Sequence, residues 1–340
     1  MWTRDADNCG QTVEGYETRV PVLSSNYRAP WFLRNGHAHT VFPAVFRSIP
    51  KVSYTRERLE LDDGDFLDLD WSRVGGNNAV IVAHGLEGSS QRRYVKGMVR
   101  TFNLHAWDAV ALNFRGCSGE PNRLLRFYHS GVSEDLWNVA QHAARQGYER
   151  IGLIGFSLGG NVALKLLGEL GKGTPEWLIG GVGISVPCDL KASSESMARL
   201  INRPYMKRFI SDLHAKIRAK RLTFPNELDD SGYCRIKTFR HFDDRYTAPL
   251  HGFRDAEDYW AQCSSRFFLE TIRRPALLLN AADDPFLAHE CYPKDLARHH
   301  DYLHLEIPTH GGHAGFVGRN LRGENYYSER RAFQFLAEIH

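Results

Sequence analysis

Ser157 lies in the run Gly155-Phe156-Ser157-Leu158-Gly159-Gly160, a G-x-S-x-G pattern. The apolar stretch Ile151–Phe156 leads into it and the helix-like Asn161–Leu170 follows. A strand that turns sharply into a helix lifts the hydroxyl at its apex clear of the sheet. Small flanking residues are needed there because neighbouring chain passes close to the apex. The chemistry this suits is nucleophilic attack by serine. A lone hydroxyl is a weak nucleophile, so a base must activate it and a third group must orient the base. In this architecture the partners follow in the order serine, acid, histidine.

Downstream, the strand-like Ala276–Ala281 ends in Asp283-Asp284-Pro285. That puts a carboxylate at the carboxyl edge of the sheet, where open α/β folds bind ligands. Asp284 is the expected acid because Pro285 follows it as the chain leaves the strand; Asp283 is the alternative. Tyr302–Ile307 then leads into His310-Gly311-Gly312-His313-Ala314-Gly315-Phe316. His313 is the expected base, since two glycines before it let the loop approach the serine; His310 is the alternative. Ala79–Ala83 runs into His84-Gly85-Leu86-Glu87-Gly88, a loop suited to oxyanion stabilisation. The backbone N–H groups of Leu86 and Leu158 are the expected donors.

These residues need a frame that brings strand ends together. Ala79–Ala83, Ala109–Phe114, Ile151–Phe156, Gly181–Val186 and Ala276–Ala281 are continuous apolar runs, as expected of strands buried on both faces of a parallel sheet. Arg58–Leu61 and Phe66–Trp71 flank Asp62-Asp63-Gly64-Asp65 and read as a hairpin. Ser133 is the expected N-cap of an intervening helix, with Gly147 at its C-terminal end. The alternation predicts an α/β fold with a mostly parallel central sheet flanked by helices. Residues 56–186 and 275–340 form its core. Residues 187–274 carry no buried strand and read as a helical cap insertion, with Met206, Phe209, Ile210, Leu213 and Ile217 on one stripe. Residues 1–55, punctuated by Pro21, Pro30, Pro43 and Pro50, read as an irregular arm packed on the core.

Composition narrows the function further. Among 340 residues the hydrophobic fraction is 42% and the aromatic fraction 12%, enough for a large core, which excludes global disorder. Lys+Arg 43 against Asp+Glu 40 leaves no electrostatic footprint for nucleic acid. Six dispersed cysteines without a CxxC pair, no secretory leader and no long apolar span predict a soluble, cytoplasmic protein with free thiols. His37, His39, His299 and His300 lack a ligand frame, so no metal is expected. Gly75-Gly76 and Gly180-Gly181 lack dinucleotide-binding spacing, and no cofactor is expected. Lys216, Arg218, Lys220 and Arg221, on the far side of the cap stripe, read as a solvated face, with peripheral contact to anionic lipid as the alternative. In the block Arg115–Gly119 with Arg123, Tyr128 and His129, the five donors of Arg115 suit tying loop carbonyls together, with a substrate contact as the alternative. His251 is weighed as a cap contact to substrate and not favoured.

Several blocks together resemble the YheT-like α/β-hydrolases: GFSLGGN (Gly155–Asn161), HGLEGSS (His84–Ser90), NFRGCSGEPNRLLRFYHSG (Asn113–Gly131), FDDRYTAPLHGF (Phe242–Phe253), DAEDYW (Asp255–Trp260), NAADDPF (Asn280–Phe286) and HGGHAGF (His310–Phe316). GHAHTVFP (Gly36–Pro43) is similar to that family's GHxQT segment, with His39 where Gln is commoner. The resemblance implies an α/β-hydrolase with a helical cap, a triad on Ser157, Asp284 and His313, and hydrolysis of carboxylic esters, of short- to medium-chain acyl or lipid-like type, through an acyl-enzyme. A thioesterase or amidase using the same triad, or a binding protein on the same scaffold, is the alternative. The expected partner is a small-molecule ester; the sequence is silent on oligomeric state.

Overall fold

Short apolar runs bounded by turn residues can bury both faces only inside a covered sheet. The computed structural model describes residues 22–48, 50–318 and 326–339, so the first 21 residues of the expected arm lie outside the described residues. The strands are β1 (Val22–Leu23), β2 (Thr55–Glu60), β3 (Phe66–Ser72), β4 (Asn78–Ala83), β5 (Asp108–Asn113), β6 (Arg150–Phe156), β7 (Leu178–Ile184), β8 (Ala276–Leu279) and β9 (Leu303–Glu306). They form one sheet in the order β1-β9-β8-β7-β6-β4-β5-β3-β2. Only β2 and β3 run antiparallel to their neighbours, as a hairpin on the β5 edge. After β4 the chain adds β5 on one side and β6 to β9 on the other. The crevice at the carboxyl ends of β4 and β6 is therefore the topological switch point, the place where open α/β sheets generally bind ligands.

Alternate residues of each strand feed two cores. Ile81 of β4 packs with α3 (Ser133–Arg145) and α4 (Leu158–Leu170) on one face. Val80 and Val82 pack with α2 (Arg93–Asn103) and α11 (Tyr327–Ala337) on the other. Gly147 takes positive φ just past α3, as expected. Ser133 does not cap α3. It is the first helical residue and its hydroxyl bonds Glu169 instead.

Between β7 and β8 the described chain forms α5 (Leu190–Met197), α6 (Arg203–Thr223), α7 (Phe239–Phe242), a π-helical turn (Asp243–Thr247), α8 (Ala248–His251) and α9 (Ala256–Cys263). Met206, Ile210, Leu213 and Ile217 of α6 are buried in a separate cluster with Phe242 and Tyr246. Two charges read as solvated point the other way. Lys216 donates to the Gly116 carbonyl at 2.9 Å and Lys220 to Asn122, so both pin α6 to the core. Long lysine stems bury readily when the ammonium finds carbonyl acceptors. α10 (Lys294–Arg298) precedes β9.

The N-terminal segment is less irregular than its prolines suggest. α1 (Gly36–Phe46) contains Pro43 in its interior, and the Asn35 side chain accepts from the N–H groups of His37 and Ala38 as its cap. Arg115 is structural, but its partners are carboxylates rather than carbonyls. It pairs with Asp135 at 2.7 Å, Asp63 at 2.6 Å and Asp65 at 3.2 Å, and is buried with Asp65 and Asp135. Arg115→Met would leave buried carboxylates uncompensated, and is expected to cost about 3–5 kcal/mol in urea denaturation. A loss below about 1 kcal/mol would show that the network contributes little.

Candidate active site

At the end of β6 the chain enters α4 through Ser157, whose φ of 52° and ψ of −117° are a strained conformation for a side-chain-bearing residue. The neighbours explain why glycine flanks it. A Cβ on Gly155 would lie 2.1 Å from the Gly159 carbonyl oxygen, and one on Gly159 would lie 2.5 Å from the Ala83 oxygen. The loop after β4 thus runs directly against the turn. Leu158 is the first residue of α4, so its N–H is one of the helix's orphan donors. Among the described residues no partner occupies the Leu86 N–H either.

The loop carrying Leu86 is fixed from both sides. His84 donates from Nδ1 to the Gly85 carbonyl and accepts the Phe114 N–H at Nε2. Burial pushes its pKa down to about 3, so the ring is neutral. Beyond Leu86, the Glu87 N–H donates to the Tyr128 hydroxyl, which donates back to the Glu87 carboxylate, each at 2.7 Å.

Two acid–histidine pairs stand side by side. Asp284 is buried, and its Oδ2 lies 2.9 Å from His313 Nδ1. Asp283 lies 3.1 Å from His310 Nδ1. A carboxylate only accepts, so this contact suits an imidazole with its proton on Nδ1 and its Nε2 unprotonated. The Phe286 N–H fixes the Asp284 carboxylate in turn. Asp283 does different work, accepting the Gly312 N–H at 2.9 Å. His313 and Ser157 line one cavity; His310 and Asp283 do not. Among the described residues no hydrogen bond joins Ser157 to His313. Such bonds are often long without substrate.

Residues far from the motifs hold the histidine loop. The N–H of His313 donates to Thr40 Oγ1 of α1 at 2.9 Å, and that of Ala314 to Ser185 Oγ at 2.8 Å. His39 accepts the Val317 N–H at Nε2 and donates from Nδ1 to the Leu33 carbonyl. Its pKa is held down to about 4 by burial. Sequence reasoning missed Thr40 and Ser185. The GHAHTVFP block was the one signal pointing to the first. Nor do the four histidines weighed as metal ligands converge among the described residues.

The cavity measures about 130 Å³, on the order of ten times what one water requires. Its walls are largely apolar, including Phe127, Met197, Phe209, Leu213, Phe242 and Phe286. His129 and Asp243 also line it, whereas His251 does not; both its ring nitrogens face carbonyl oxygens of Thr247 and Phe127. Asp243 sits in the π-helical turn and accepts from Thr247 and Trp260.

Over residues 78–176 the chain matches the family described as the alpha/beta hydrolase fold. It is 37% identical over 304 residues to YheT of Escherichia coli (strain K12), whose esterase designation is provisional, across 87% of this chain and 88% of that one. Phospholipase ABHD3 of Mus musculus is 28% identical over 334 residues, 94% of this chain and 80% of that one. Among solved structures, the Pyrococcus furiosus esterase Pf2001 superposes with a TM-score of 0.56 at 15% identity, covering 86% of this chain and 98% of that one; this is a likeness of fold alone.

Burial pushes the Asp243 carboxyl up to about 7 from 3.8. Between those values the folded chain holds a proton that the unfolded chain has released, so stability falls as pH rises through that window. Asp243→Asn removes this dependence. Raising the pH from about 5 to about 8 should therefore shift the Tm difference between variant and wild type in the variant's favour. A constant difference would show that Asp243 titrates alike in both states.

Proposed function

Because the chain belongs to the YheT-like family of α/β-hydrolases, we propose that it is a serine hydrolase of carboxylic esters, acting through Ser157, Asp284 and His313. One observation carries the reading: His313, held at Nδ1 by buried Asp284, shares an apolar cavity with Ser157 at its strained turn. The relatives named as esterase and phospholipase support the reaction class.

In the reaction Ser157 Oγ attacks the ester carbonyl while His313 Nε2 takes its proton. Asp284 keeps the imidazole in the right tautomer and stabilises the imidazolium. The N–H groups of Leu86 and Leu158 receive the developing oxyanion. Collapse expels the alcohol, protonated by His313, and leaves an acyl-serine. Water, deprotonated by the same histidine, then releases the acid. No cofactor or metal takes part in this sequence. The helices of residues 187–274 act as the cap over the acyl group, and apolar walls select an acyl chain over a polar one.

The test is turnover of a p-nitrophenyl ester series from acetate to palmitate. Ser157→Ala should abolish it while leaving the melting transition in place. Asp284→Asn should lower kcat on the order of 10³–10⁴-fold. Asp283→Asn, which alters only the bracing pair, should lower it less than about tenfold. Activity that persists in Ser157→Ala, or an equal loss in the two aspartate variants, would contradict the assignment.

A further inference from the structure

Outside the cavity, the surface feature that the proposed chemistry leaves unused is a set of exposed large apolar side chains. Trp31 is 80% exposed and Phe46 is 62% exposed, with Phe32, Val41 and Val45 also exposed. Ring contacts join Trp31 to Phe32 at 5.6 Å, Phe32 to Phe42 at 6.3 Å and Phe42 to Phe46 at 5.2 Å, so they form one continuous patch. On α1, His37, Val41 and Val45 recur four residues apart and share a face. That face begins where His37 stacks on Tyr205 in the first turn of α6. Just before that turn, Leu200 is 84% exposed and Ile201 is exposed beside it. Scattered apolar side chains on a surface are ordinary. Trp, Phe, Leu and Ile exposed on segments that meet at the His37–Tyr205 contact mark an interaction surface.

The two segments that carry the patch are rich in cations, although Arg47, Arg56 and Arg208 are paired with Glu329, Asp70 and Asp212. Residues 22–56 contain Arg28, Arg34, Arg47, Lys51 and Arg56 and no Asp or Glu. Residues 196–211 contain Arg199, Arg203, Lys207 and Arg208 and again no acid. Arg28, Arg34, Arg199, Arg203 and Lys207 are exposed, and among the described residues no ion pair engages them. This local asymmetry stands out because the whole chain is nearly balanced. Aromatic and branched apolar side chains on segments that carry five exposed cations, none paired among the described residues, match an anionic lipid interface, where the cations meet headgroups and the apolar side chains enter the acyl boundary.

The patch is also tied to the candidate site. Tyr205 contacts Phe286 at 4.8 Å, and Phe286 contacts His313 at 4.3 Å. Asn202 donates to the Pro285 carbonyl at 2.7 Å, next to Asp284. We propose that Trp31, Phe32, Val41, Val45 and Phe46, with Leu200 and Ile201, dock the protein on bilayers carrying anionic lipid. The substrate class, which rests on the ester-hydrolase reading above, is then an ester presented from that surface. Lys216 and Lys220 of α6, for which lipid contact is only the alternative to a solvated face, are turned inward; the docking residues lie at the opposite end of that helix and on α1.

The experiment is sedimentation with vesicles of phosphatidylcholine alone or mixed with phosphatidylglycerol. It uses the wild type, Ser157→Ala, a triple variant Trp31→Ser, Leu200→Ser, Ile201→Ser, and Leu222→Ser as a control. Leu222 is 88% exposed at the far end of α6. Wild type, Ser157→Ala and Leu222→Ser should partition onto the mixed vesicles, and raised salt should weaken that binding. The triple variant should lose at least about tenfold in partitioning while turning over p-nitrophenyl acetate normally. Absence of vesicle binding by the wild type, equal binding by the triple variant, or a dimer that the triple substitution dissolves would each overturn the proposal. Binding by Ser157→Ala separates the outcomes, because docking then stands even if esterase activity is absent, and ester turnover without docking removes only the surface.

Discussion

Three successive amides, those of Gly312, His313 and Ala314, donate to Asp283, Thr40 and Ser185. Those acceptors come from the turn after β8, from α1, and from the residue just after β7. A glycine-rich loop left to itself would sample many conformations, and a base displaced by about 1 Å can lose on the order of a hundredfold in rate. Here the loop is held by three side chains drawn from separate elements. The sheet brings Asp283 and Ser185 to one edge. The N-terminal helix supplies the third acceptor from outside the sheet. Much of the fold can be read as what that convergence requires.

The serine side of the site is constrained differently. Its turn is held by close backbone approach, with Gly155 against Gly159 and Gly159 against the loop after β4. That packing holds Ser157 at positive φ and sets the loop carrying Leu86 beside it. Strain of this kind persists only where surrounding structure over-determines it. The parallel strands β4 and β6 on either side of the crevice supply that rigidity. The helices between β7 and β8 then add apolar walls without disturbing the register beneath them.

How much of this was legible depended on sequence distance. The G-x-S-x-G turn, the apolar strands and the α6 stripe are short-range patterns, and each appears at its residues, with strand ends shifted by two or three positions at β7 and β8. The preferred acid and histidine pair with each other, and the two alternatives pair together as a brace. β7 starts earlier than its apolar run, because Gly180-Gly181 interrupts the pattern. α1 was hidden by Pro43, whose interior position is outweighed by the Asn35 cap and by packing against the histidine loop. Thr40 and Ser185 were illegible for a plain reason. A hydroxyl that meets its amide 273 or 129 residues away leaves no local pattern. Lys216 and Lys220 were misread because helix periodicity identifies the apolar stripe but says nothing of which carbonyls lie under its flanks.

The central claim is that Ser157 is an activated nucleophile, and covalent labelling tests it without assuming a substrate. A fluorophosphonate reacts with a serine hydroxyl whose proton a neighbouring base removes and whose oxyanion is received by backbone donors. Intact-mass spectrometry followed by peptide mapping should find a single adduct on Ser157, absent from Ser157→Ala and slowed in Asp284→Asn. Folded wild-type protein that stays unlabelled, or that carries the adduct on another residue, would contradict the account.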